Sequence, residues 1–240
     1  MFDPKNFTTP TAKPLPVVLL LDVSSSMSGD KIENLNKAVE DMLDTFAQEE
    51  KMETEILVSV ITFGSQVELH VPYTKASQVR WQGLQANGMT PMGTALKMAK
   101  AMIEDKETTP SRAYRPTIIL VSDGQPNDSW EGPLEDFISD GRSSKCFCWA
   151  MGIGQGADKG VLERFISKTP FLAKDVPNRV FDALEAKDIH HFFQLVTMSL
   201  TRRNQSKNPN EVAASIELVE SSKSNIAASV SIENDDQGYW

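Results

Sequence analysis

Nitrogen and sulfur ligands are scarce in this chain: its 240 residues include 2 cysteines and 3 histidines. Cys146 and Cys148 stand two apart, a spacing that points both to one face of a strand and is poor geometry for a disulfide between them. They read as buried core thiols, since a zinc site would need more ligands than the chain offers nearby. His70, His190 and His191 are dispersed, and the adjacent pair falls on a helical pattern where packing or solvent contact accounts for it. Basic clusters are missing apart from Arg202-Arg203, and a net charge of -9 argues against a general nucleic-acid binder, which needs Lys and Arg to neutralise phosphates. No run approaches the ~18 apolar residues needed to span a bilayer, and residues 1–16 lack the apolar stretch of a secretory leader. The expectation is a cytoplasmic chain without membrane contact. A Gly-x4-Gly-Lys-Ser/Thr pattern is also missing, so NTP hydrolysis has no phosphate cradle.

What the sequence does hold is an alternation of two periodicities. Apolar runs at 17–21, 56–63, 117–121 and 146–153 are short, rich in β-branched or aromatic residues and nearly continuous, as strands covered on both faces must be. Residues 67–71 alternate instead, which suits an edge strand, and 179–181 read as a last short one. Between them Ile32, Leu35, Val39, Met42, Leu43 and Phe46 repeat at helical spacing, as do Ala95, Met98, Ala99, Met102 and Ile103. Further helical patterns centre on Leu134 to Ile138, Val161 to Ile166 and Ile189 to Leu200. Strand alternating with helix predicts an α/β fold with a mostly parallel, doubly wound sheet. Residues 1–15 read as an N-terminal extension, 16–203 as the domain, and 204–240 as a polar, mobile tail in which 216–219 and 227–232 could still pair as strands.

Two strand ends and one loop carry the chemistry. Asp22-Val23-Ser24-Ser25-Ser26 closes the first apolar run, and three polar side chains so placed would lose water in a buried strand, so the segment belongs to a loop at the sheet edge. Asp123-Gly124 closes the run at 117–121. Thr90 sits in Gly88-Met89-Thr90-Pro91-Met92-Gly93-Thr94, immediately before a helix. Open α/β sheets bind ligands outside the carboxyl ends of their strands, so these loops can meet in one crevice. Each piece alone has a plainer account as a turn or helix entry; together their oxygens suit a hard cation. Ser25, Met89, Gly124 and Asp128 fall on the rim of that crevice. Gly152-x-Gly154-x-Gly156 has the wrong spacing for a nucleotide loop and reads as a strand-exit turn.

Asp22-x-Ser24-x-Ser26, Thr90 and Asp123, in that order, resemble the metal-ion-dependent adhesion site (MIDAS) of von Willebrand factor A (VWA) domains, over residues 16–203. The resemblance implies a six-stranded sheet of order 3-2-1-4-5-6, the third strand antiparallel, with helices on both faces. It also implies Mg²⁺ or Mn²⁺ bound through the Ser24, Ser26 and Thr90 hydroxyls, with Asp22 and Asp123 acting directly or through water. With three neutral ligands the ion stays electrophilic toward an Asp, a Glu or another anion of a protein partner. Segments 24–29, 88–96 and 121–128 resemble the bacterial TerY-type proteins associated with tellurite resistance. That likeness implies a stress-response or defence assembly containing a PP2C-like phosphatase and a protein kinase. The alternative is a Mg²⁺-dependent phosphoryl-transfer or hydrolytic enzyme using Asp22. Against it, Ser24 stands where the haloacid-dehalogenase type needs a second acid, and no Lys follows Ser122-Asp123 as a phosphotransfer receiver requires. The expectation is a binding module without catalysis.

Overall fold

The computed structural model describes residues 12–49, 54–169 and 180–210. Six strands, β1 (Lys13–Asp22), β2 (Thr54–Phe63), β3 (Val67–Lys75), β4 (Thr117–Ser122), β5 (Phe147–Ile153) and β6 (Phe181–Ala183), form one sheet in the order β3-β2-β1-β4-β5-β6. Among the described residues only β2 and β3 pair antiparallel, and the other neighbours are parallel. This is the expected VWA/Rossmann-like arrangement. The helices are α1 (Asp30–Gln48), α2 (Met92–Glu104), α3 (Glu131–Ser139), α4 (Lys159–Ile166) and α5 (Ala186–Gln205).

The unbroken apolar run of β1 follows from having a core on each side. Leu15, Val17, Leu19 and Leu21 pack with residues of α1 and α5, whereas Val18 and Leu20 pack with those of α2, α3 and α4. Successive side chains of a strand point to opposite faces, so a central strand covered by helices on both must be apolar at every position. The chain leaves β1 for α1 on one face and leaves β4 for α3 on the other. Since β1 and β4 are neighbours with Leu21 opposite Val121, their carboxyl ends open the crevice where these connections diverge.

Several boundaries differ from those expected. β1 starts at Lys13, because residues 13–16 already pair with β2 while β4 joins only at Val17. Pro14 and Pro16 therefore stand where the strand has no β4 neighbour to lose a hydrogen bond to. β3 runs on to Lys75 at the sheet's edge, where Pro72 is tolerated. β6 begins at Phe181, its register set by Met151 opposite Phe181 and by Gly154 N–H donating to the Ala183 carbonyl; residue 179, where the expected strand starts, lies outside the described residues. α5 continues two residues beyond the expected end at 203, because Arg203 and Asn204 are interior. The Arg203 guanidinium donates to the Pro209 carbonyl (3.0 Å), the Arg115 carbonyl (2.8 Å) and the Thr117 hydroxyl, and lies 4.3 Å from the Phe147 ring centre. Residues 206–210 are thereby tied to the domain, with Asn210 accepting from the Arg115 amide. The strands envisaged at 216–219 and 227–232 lie outside the described residues. Cys146 and Cys148 are free and buried, and burial pushes the Cys148 thiol up to about 12.

Candidate functional site

Asp22 ends β1 with no exposed surface, and both its oxygens accept hydrogen bonds. Oδ1 takes the Ser24 amide at 2.8 Å, bending the chain out of the strand, and Oδ2 takes the Ser122 hydroxyl at 2.6 Å. Burial, with a smaller contribution from Asp123, raises its pKa above the usual carboxylate value despite these bonds. From Asp22 the polar chain continues outward. Ser24 Oγ lies 2.9 Å from Ser26 Oγ, and the Ser26 hydroxyl donates to Asp123 Oδ1 at 2.7 Å. Four of the five expected ligands are thus linked by hydrogen bonds, and Ser122 ties the two strand ends together.

Thr90 reaches the same place from the third loop. Its hydroxyl lies 3.6 Å from where a Cβ on Gly124 would stand, next to Asp123, and among the described residues that hydroxyl makes no hydrogen bond. The loop is held on both sides. Gly88 donates to Ser25 Oγ at 3.0 Å while its carbonyl accepts from the Ser25 amide at 2.9 Å. Gly88 has φ +84°, and a Cβ there would fall 2.2 Å from the Ser65 nitrogen, so only glycine fits. On the other side Asn127 brackets Thr90, its Oδ1 accepting from the Thr90 amide (3.0 Å) and its own amide donating to the Thr90 carbonyl (3.1 Å).

Of the rim residues, Ser25 and Met89 are exposed, Met89 at 63%. Gly124 follows Asp123, and a Cβ there would stand 3.6 Å from the Thr90 hydroxyl, at ordinary contact distance. Asp128 does something else. Its Oδ1 accepts from the Gly93 amide (2.9 Å) and its Oδ2 from the Thr94 amide (2.8 Å) and hydroxyl (2.9 Å), closing the N-terminus of α2 from outside. Pro91, the residue preceding α2, makes no side-chain cap, so these amides take a carboxylate from across the crevice. Replacing Asp128 by alanine is expected to cost about 1 kcal/mol, read by urea denaturation.

Two contributors escaped the sequence reading. Asn127 carries no local signal, because its role depends on a loop 37 residues away. Lys31 does carry one. Its ammonium lies 2.5 Å from Asp123 Oδ2 and 3.1 Å from the Ser26 carbonyl, in the first turn of α1 where the helix dipole disfavours a cation unless an anion faces it. The three histidines are elsewhere: His70 sits against the Gln82 carbonyl, His190 near Asn34 and Asp41, His191 on the edge of Phe181. Among the described residues no group of three His, Cys, Asp or Glu side chains is arranged to hold a metal. An ion between Asp22 and Asp123 would therefore depend on the hydroxyls. The donor set fits such an ion, and a cation, the Lys31 ammonium, already stands against one carboxylate.

Fold and crevice resemble those of von Willebrand factor A domains, and comparison with known proteins supports that class. The family model of the von Willebrand factor type A domain matches residues 17–125, from β1 through Asp123. Matrilin-3 of Gallus gallus is 27% identical over 152 residues, 60% of this chain and 32% of that protein. Inter-alpha-trypsin inhibitor heavy chain H4 of Homo sapiens is 25% identical over 199 residues, 79% of this chain and 21% of that protein. The chain thus spans about a third of the matrilin and about a fifth of the heavy chain. Among solved structures, a von Willebrand factor type A protein from Catenulispora acidiphila superposes with a TM-score of 0.59 at 18% identity, covering 80% of this chain and 43% of that one. Proximal thread matrix protein 1 of the mussel byssus, solved with a zinc-occupied MIDAS motif, superposes at 0.56 with 18% identity, covering 81% and 47%. At these identities the structural likeness is one of fold. The family match and the fold support a von Willebrand factor A domain protein. Among the described residues no helix is long and apolar enough to cross a membrane.

Proposed function

We propose that the chain is a metal-dependent protein-interaction module. Asp22, Ser24, Ser26, Thr90 and Asp123 hold Mg²⁺ or Mn²⁺ as a MIDAS, and an Asp or Glu of a partner protein completes the ion's shell. The observation that carries this reading is the convergence of three loops on one spot, with two buried carboxylates, linked serine hydroxyls and a threonine hydroxyl that has no hydrogen-bond partner among the described residues. Oxygen donors of this kind match the preference of a small hard dication. When bound, the ion would supply an open coordination position for an outside carboxylate. Asp22 anchors the Ser24 backbone, Asn127 holds Thr90 in place, and Ser25, Met89 and Gly124 form the surface a partner meets. The mussel protein's zinc-occupied motif supports a divalent cation on this fold.

The reading as an enzyme using Asp22 fits the geometry less well. With no exposed surface and both oxygens already accepting from Ser24 and Ser122, this carboxylate would have to break two hydrogen bonds before attacking anything. The narrower part of the proposal is a cytoplasmic TerY-type role in a bacterial stress-response or defence assembly, beside a PP2C-like phosphatase and a protein kinase. It rests on the resemblance of segments 24–29, 88–96 and 121–128. For the metal itself, isothermal titration of Mn²⁺ into the chelator-treated chain is expected to give one binding event for which Mg²⁺ competes. A flat titration with both ions would remove the proposal.

A further inference from the structure

We infer that Lys31 is the resident cation of the metal-free centre, which an arriving divalent ion must displace from Asp123. This rests on the metal-centre reading and goes beyond it, because it assigns the ion a competitor built into the chain.

Three observations converge on the assignment. First, the Asp123 side chain has no exposed surface, and its oxygens are divided between the Ser26 hydroxyl on Oδ1 and the Lys31 ammonium on Oδ2. A buried carboxylate near a second one, Asp22, needs a counter-cation, and among the described residues Lys31 faces it. Second, Lys31 is held there against local preference. It stands in the first turn of α1, beside the positive end of the helix dipole, so its position is stabilised by Asp123 rather than by its own helix. Third, it is free to leave. The side chain is 37% exposed, its stem has four flexible methylenes, and its end lies about 3.9 Å from where a Cβ on Gly154 would stand. There it borders a cavity of about 260 Å³ lined also by Asp30, Leu184, Glu185 and Ile189. Evicted from Asp123, the ammonium has an adjoining space with the acids Asp30 and Glu185 on its wall.

An ammonium in contact with Asp123 and a dication on the same carboxylate repel each other at close range, and solvent screens a buried pair poorly. Lys31 therefore sets the divalent-ion concentration at which the centre fills. The opposite role is also physically definable. If Lys31 stayed in place and oriented Asp123 for the ion, as outer hydrogen-bond partners of metal ligands do, its removal would weaken binding.

The sign of one change separates the two. Mn²⁺ is titrated calorimetrically into the full chain as wild type, Lys31→Gln, Lys31→Met and Lys31→Arg. Displacement predicts that Lys31→Gln and Lys31→Met bind about tenfold or more tightly than wild type, while Lys31→Arg, which keeps the charge, does not gain. Thermal melting gives an independent readout. The metal-free Gln and Met variants melt below wild type for want of the Asp123 partner, and Mn²⁺ raises their melting temperature by more than it raises that of wild type. Unchanged or weaker Mn²⁺ binding by both neutral variants, with wild type still binding, overturns the role of Lys31 and leaves the centre standing. Absence of binding by wild type and variants alike overturns the centre itself, and the inference with it.

Discussion

Asp123→Ala is expected to lower Mn²⁺ affinity by about 100-fold or more, to the point where calorimetry records no binding. Asp123 supplies one of the two carboxylates among the five expected ligands, the other three being neutral hydroxyls. Without it a dication meets Asp22 alone, whose oxygens are held by the Ser24 amide and the Ser122 hydroxyl. The substitution also strands Lys31, yet that side chain is 37% exposed and can turn to water, which keeps the loss of stability small. The expected signature is therefore abolished binding with a modest change in melting temperature. Loss of binding accompanied by unfolding would mean that the site had collapsed rather than lost a ligand.

Asp22→Asn is expected to abolish metal binding while making the metal-free protein more stable at neutral pH, by about 1–2 kcal/mol. Burial raises the pKa of Asp22, so the folded state favours its proton more than the unfolded chain does. A carboxyl shifted in that direction contributes stability in acid, below its unfolded value, and that contribution is lost as pH rises through the folded value. Wherever it is ionised, the buried side chain is a burden that a bound cation would relieve. Asparagine removes the charge and keeps the bonds: its oxygen can still accept from the Ser24 amide, and its NH₂ can donate to Ser122 Oγ. Urea denaturation of both proteins should show the variant ahead at pH 7 and the gap closing toward pH 4. A variant less stable than wild type at both values would contradict the account.

These expectations also indicate which parts of the molecule can be read without coordinates. The continuous apolar runs at 17–21 and 117–121 declare themselves as buried parallel strands because every position faces a helix, and the acids that close them mark the sheet edge. Sheet order and the five expected ligands followed from the spacing and order of Asp22, Ser24, Ser26, Thr90 and Asp123 through their likeness to a known pattern. What was hidden depends on distant partners. Residues 13–16 become strand only because β2 lies beside them. Arg203 looks like half of a basic surface pair until Thr117, Arg115, Pro209 and Phe147 surround it. Asp128 reads as a rim acid, but the uncapped amides of Gly93 and Thr94 claim both its oxygens. Lys31 alone was legible in principle, as a cation at the wrong end of a helix just after an oxygen-rich loop.

The central claim is that oxygens from three loops surround one divalent ion. Crystals grown with Mn²⁺ and measured for anomalous scattering test it directly. The account predicts one strong peak within about 2.0–2.6 Å of the Ser24, Ser26 and Thr90 hydroxyls or of waters held by Asp22 and Asp123. A peak at another cluster of side chains, or none at saturating Mn²⁺, would contradict it.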